Sequence, residues 1–169
     1  MTVLIHTSLF HEQHPELSKR ALNRVTRAAN QAMGEYWADN LVKEHFEPAA
    51  HFIFGHKNRS LKYRKKKRYL ASKGKVQRSG EVDLVYSGQL ERYLTGNRHV
   101  VRAYPTRVTI TMIGPKHWTM RPRNPNRPNL AKEVTTVTGH HERLMAGVAD
   151  RITNEQLTAL RAAKTTRAA

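Results

Sequence analysis

The feature that most constrains this chain is an apolar set spaced at the helical period near its start. Leu17, Ala21, Leu22, Val25, Ala28, Ala29, Ala32, Met33, Tyr36, Trp37 and Leu41 fall on one side of a helix. Arg20, Arg24, Arg27, Gln31 and Glu35 fall opposite. Pro15 suits a first turn and Glu47-Pro48 limits the far end, so the spacing predicts a helix of about 30 residues, roughly 45 Å long. Such a stripe is stable only when covered. Gly34 lies inside it and predicts either a bend or a close approach by a partner element.

The cover is found further on, where the period changes to two. His99, Val101 and Ala103 alternate with Val100, Arg102 and Tyr104; Pro105-Thr106 then turns the chain into Arg107 to Ile113. This predicts a β-hairpin near 98–113 with Val108, Ile110 and Met112 on the packed side. The fold class is therefore α+β: a long N-terminal amphipathic helix on a small antiparallel sheet, with a C-terminal helix. At 169 residues one domain is expected. Residues 1–14 are an arm or a short strand. Phe52-Ile53-Phe54, closed by Gly55, reads as a loop that anchors itself in the core. Residues 130–160 return to helical signals, with Thr138 a candidate cap and Leu144, Val148, Ile152 and Leu157 apolar. The tail 161–169 is expected to fray.

Charge decides the rest. The formal net charge is +17, and its densest part is Lys57 to Arg78, with eleven Lys or Arg. No Asp or Glu lies between Glu47 and Glu81 to offset them. Such a field implies a polyanionic or acidic partner. Residues 57–80 read as a basic loop or a short helix over Leu61 to Lys73 ended by Gly74. Lys57, Arg59, Lys62, Arg64, Lys65, Lys66, Lys67, Arg68, Lys73, Lys75 and Arg78, with Tyr63 and Tyr69 interleaved, are the candidate partner- or DNA-facing residues. Residues 114–129 carry four prolines and no acid and form an exposed loop that adds Arg121, Arg123 and Arg127. A plain solvated basic face is the alternative. No signature of a sequence-reading nucleic-acid module is present, so DNA contact would be with backbone phosphate.

Catalysis is unsupported. The thirteen acids are scattered, and none forms a paired-carboxylate, metalloprotease or nucleotide-binding spacing. Ten histidines are many, but His140-His141-Glu142 places neighbours on different sides of a helix. No metal, cofactor or enzyme activity is expected. A nuclease assembled from distant His and Asp is the remaining catalytic reading. The chain has no cysteine and no apolar run near the roughly 18 residues of a membrane span, so a cytosolic origin without membrane contact is expected. The first residues lack the basic flank of a secretory signal.

The order of parts resembles the neck, tail-completion and minor-tail proteins that join head to tail in tailed bacteriophages. The resemblance rests on the long first helix, the aromatic segment HFIFG, the basic run ending in KGK and the hairpin. Its most specific part is Leu84-Val85-Tyr86-Ser87-Gly88-Gln89-Leu90, which looks like that family's L-V-x-S-G-x-L-R box. Ala131 to Leu144 also looks like the family's closing helix. Glu91 departs from the customary Arg, as does the long Pro-rich loop. The resemblance implies a structural role for Leu84, Val85, Ser87, Gly88 and Leu90 and no active site. It also implies a homo-oligomeric ring in the virion, joined to portal, adaptor or tail-tube proteins, with packaged double-stranded DNA possible in its lumen. The reading from charge alone is a sequence-nonspecific nucleic-acid-binding protein of ribosomal or nucleoid type.

Overall fold

The computed structural model describes residues 2–6, 17–56, 59–75, 89–96, 99–114 and 129–168. The elements in chain order are β1 (Thr2–His6), α1 (Lys19–Tyr36), α2 (Val42–Glu44), α3 (Ala50–Phe54), α4 (Leu61–Ser72), α5 (Gln89–Thr95), β2 (His99–Tyr104), β3 (Arg107–Met112), α6 (Leu130–Val134) and α7 (Gly139–Ala168). The fold is α+β, with a three-stranded antiparallel sheet of order β1-β3-β2. Two compact units divide the chain: Thr2–Trp37, Val100–Ile110 and His140–Ala169 form one, and Ala38–His99 with Thr111–Gly139 and Met1 form the other.

In the unit that holds the sheet, α1 begins where Ser18, in extended conformation, accepts a hydrogen bond on its side chain from the Ala21 N–H at 3.3 Å. Pro15 lies outside the described residues. Val25, Ala29, Met33 and Trp37 are buried, as the 3.6 period requires, while Leu22 is only half-buried. On β3 the alternation holds residue by residue: Val108 and Ile110 are fully buried, Arg107 is exposed and Thr109 half-buried. Gly34 settles its own alternative. A Cβ built there would lie 2.7 Å from Val108 Cγ2 and 2.8 Å from Val101 Cγ1. The glycine lets the helix backbone lie directly on the sheet. Asn30, 1% exposed within the same stripe, donates from Nδ2 to the Tyr104 carbonyl at 2.6 Å and ties the helix to the hairpin end. β1, the third strand, buries Val3 and leaves Leu4 half exposed.

α7 also belongs to this unit and buries His141, Met145 and Leu157. Leu144, Val148 and Ile152 are half-buried. It stays helical to Ala168, which corrects the expected fraying from Arg161. Arg161 to Thr165 are exposed, so Arg161, Ala162, Ala163 and Lys164, strong helix formers, hold the helix there without burial.

The other unit starts in a π-helical segment, Trp37–Leu41, that continues α1 into α2, so the helical path reaches Glu44. Its core is built from Ala38, Leu41, Val42, Phe46, Ala50, Phe54, Leu94, Met112 and Val134. His45 stacks on Phe54 with ring centroids 3.8 Å apart, and His56 stacks on Phe54 at 5.7 Å. Gly55, at φ 60°, supplies the left-handed step that ends α3 and returns the chain for His56 to stack. The aromatic segment is a helix rather than the expected loop, and of Phe52, Ile53 and Phe54 it buries Phe54 alone. Phe52 is 87% exposed and Ile53 49% exposed, because one turn of helix cannot turn three consecutive side chains inward.

Gly34→Ala tests the close approach. Alanine gains up to about 1 kcal/mol in helix propensity over glycine. Its methyl meets two β-branched side chains with little rotamer freedom, and overpacking of that kind costs about 1–3 kcal/mol. Urea unfolding is expected to show net destabilisation of about 1 kcal/mol; a stabilised Gly34→Ala variant would contradict this packing.

Candidate interaction surface

Within the basic run Leu61–Ser72 folds as α4, capped at both ends. Ser60 accepts on its side chain from the Tyr63 N–H at 3.2 Å. At the other end Gly74 takes φ 64°, its N–H donates to the Ala71 carbonyl at 3.0 Å, and the Lys75 N–H donates to the Leu70 carbonyl at 2.9 Å. This pair of bonds is a Schellman closure, which satisfies the carbonyls that a helix end leaves open.

The caps counter a local electrostatic cost. The helix contains no acid, and Lys62 with Lys66 and Arg64 with Arg68 are like-charged pairs four residues apart. Each such pair opposes the helix by about 0.2–0.5 kcal/mol, whereas one N-cap contributes about 1 kcal/mol. Leu61–Ser72 is thus a helix rather than a loop.

One residue before the N-cap, Arg59 anchors the helix. Its Nη1 donates to Glu133 Oε1 at 3.1 Å and its Nη2 to Glu133 Oε2 at 2.6 Å, with both side chains less than a tenth exposed. Glu133 lies in α6, whose own start is capped by the Asn129 side chain accepting from the Lys132 N–H at 3.1 Å. A planar guanidinium matches a carboxylate at two points at once, so the pair fixes direction as well as distance. Arg59, expected to face a partner, is thereby corrected to a buried structural residue. Glu133, the acid that holds it, was not identified from the sequence, because nothing local links positions 74 apart.

Helical geometry divides the remaining candidates. Tyr63, Lys67 and Leu70 share the inward stripe at the i, i+4, i+7 spacing. Lys67 is 1% exposed, which corrects its assignment to the outer face, and Tyr63 and Leu70 are half-buried. Lys62, Arg64, Lys65, Lys66 and Arg68 are exposed and make no ion pair with a described residue. Leu61 and Tyr69 stand out among them, 68% and 63% exposed. Lys73, also exposed, places its Nζ 6.0 Å from the Tyr69 ring centre, and Lys75 is exposed beyond it. The outer face therefore combines two large apolar side chains with cations that pair with no described acid.

Lys57, Arg78, Arg121, Arg123 and Arg127 lie outside the described residues, as do Leu84, Val85, Ser87 and Gly88. Leu90 is half-buried in α5, and Leu94, one turn on, is buried in a helix that packs against α2. Among the described residues no three His, Asp or Glu stand together as a metal site. The His140 and His141 rings are 6.3 Å apart and tilted, with His141 buried and His140 exposed. No described helix is long and apolar enough to cross a membrane. Comparison with protein-family models, with curated proteins and with solved structures found no significant match.

Removing one partner of the Arg59–Glu133 pair leaves a buried charge, which costs about 3–5 kcal/mol. Arg59→Ala and Glu133→Ala are each expected to fall in that range in denaturant unfolding. Arg59→Lys should recover only part, because an ammonium cannot make the two-point contact. The double change Arg59→Met with Glu133→Leu should lose far less than the sum of the single alanines. Additive losses would show that the two residues act separately.

Proposed function

We propose that this chain is a non-enzymatic structural subunit of the head-to-tail junction of a tailed bacteriophage, working as a ring in the neck or at the end of the tail. In this reading the outer face of α4 is one of its joints to an acidic neighbouring ring. The observation that carries the proposal is the make-up of that face: Lys62, Arg64, Lys65, Lys66 and Arg68 around the exposed Leu61 and Tyr69, on a helix capped at both ends. Protein interfaces use aromatic and aliphatic anchors within a charged rim, and phosphate contact does not need the anchors. Phe52 and Ile53, exposed on α3, add apolar surface of the same kind. A ring requires two different patches on each subunit, so large side chains outside the core are expected of it. The resemblance of the LVYSGQL segment to the head-to-tail joining family supports the same assignment.

The second reading, a nucleic-acid-binding protein of ribosomal or nucleoid type, is favoured by the net charge of +17. The two readings part in one experiment. Lys62, Arg64, Lys65 and Lys66 are replaced together by Gln, with the buried Lys67 left in place, and the variant is supplied in an infection that lacks the native chain. The expected outcome is filled heads and free tails that fail to join, with the thermal unfolding of the purified variant within a few degrees of the native protein. A companion variant, Leu61→Ser with Tyr69→Ser, keeps every charge and should fail in the same way. Normal joining by both variants would overturn the proposal.

A further inference from the structure

A second basic surface lies on α1, in the other unit, and differs in chemistry from that of α4. Lys19, Arg20, Asn23, Arg24 and Arg27 line an open concavity of about 580 Å³. At about 100° per residue these five positions fall within an arc of about 140°, and Arg20 and Arg27 stand about 10 Å apart along the axis. All four cations are exposed, and none forms an ion pair with a described residue. The first turn contains no acid, although the positive end of the helix dipole favours one there. The first carboxylate along the helix is Glu35, and Gln31 Nε2 holds it at 2.7 Å. Amphipathic folding explains why these side chains face water, but not why all four charges have one sign.

We propose that this concavity binds the phosphodiester backbone of duplex DNA, without reading its bases. The described lining side chains are cations and one amide, donors suited to phosphate oxygens. Among the described residues no aromatic or aliphatic side chain lines it. An acidic protein partner would call for apolar anchors such as α4 presents. Single-stranded nucleic acid would call for aromatic side chains on which bases stack. Four exposed cations over about two turns suit the regular charge of a duplex. The inference stands apart from the head-to-tail reading, since it concerns a different helix and holds whether or not the chain forms a ring.

The test is salt-dependent binding of the full chain to a short fluorescent duplex, followed by anisotropy between 50 and 200 mM salt. Lys19, Arg20, Arg24 and Arg27 are changed together to Gln. The α4 set Lys62, Arg64, Lys65 and Lys66, changed to Gln, serves as a control of equal charge. Each lost phosphate contact flattens the log–log slope by about 0.9, so the α1 variant should be shallower by about 2–4 and the control by less than 1. The pair Arg24→Gln with Arg27→Gln leaves the first helical turn untouched and should flatten the slope by about 1–2, which separates lost contact from a lost fold. Equal loss in the α1 and α4 sets would mean that only net charge matters and would overturn the proposal. So would an unchanged slope in the α1 variant. Competition by polyglutamate as effective as that by the duplex would instead assign the concavity to an acidic protein, and tighter binding of the single strand would remove the duplex.

Discussion

The buried pair between Arg59 and Glu133 is the interaction on which the position of the basic helix depends. A run of cations has no intrinsic reason to stay against a protein body, because its own repulsion and its solvation both favour release. Burying one guanidinium against one carboxylate, just before the N-cap of α4, overcomes this. The pair is a poor source of net stability compared with apolar residues of the same volume. It does give direction: a two-point contact admits few orientations, and α4 leaves it with Ser60 already set to start the helix. Lys67 follows from that placement. Once the first turn is fixed, the helical period carries Lys67 inward with Tyr63 and Leu70, and the other cations stay outside.

The sheet-bearing unit rests on a different constraint, the absence of a side chain at Gly34. With no Cβ there, α1 comes close enough to Val101 and Val108 for the apolar stripe to meet the packed side of the hairpin. Asn30 then gives its amide to the hairpin carbonyl of Tyr104, a polar contact inside an apolar face that fixes where the helix lies along the strand. Burial by Val25, Ala29, Met33, Val108 and Ile110 supplies the driving force.

Periodicity was the legible part of this sequence. The 3.6 spacing from Val25 to Met33 and the alternation from Arg107 to Met112 each depend on a local repeat and form as read, while Trp37–Leu41, expected in the same helical period, is π-helical. α4 is the helical one of the two alternatives that the basic run offered, and its stop at Gly74 is a local backbone requirement. What could not be read depends on contacts distant in the chain. Nothing near Glu133 or Arg59 marks them as partners, and composition alone made Arg59 one more member of a basic run. Lys67 was legible in principle from its spacing to Tyr63 and Leu70, but charge outweighed period in the reading. Phe52 and Ile53 misled for the opposite reason: an aromatic cluster suggests a core, and a single helical turn can direct only part of it inward.

Among the described residues the molecule therefore carries two cationic surfaces of unlike chemistry, one with apolar anchors and one without, and the head-to-tail account assigns the anchored one to a protein joint. Net charge alone cannot separate a joint from a nucleic-acid coat, but location can. The most direct test is to purify tailed particles by density and count this chain by quantitative mass spectrometry before and after DNA ejection and a high-salt wash. The account predicts a fixed number of copies per particle, consistent with a ring and retained after both treatments. Absence from tailed particles, with recovery alongside ribosomes or bulk DNA, would contradict it.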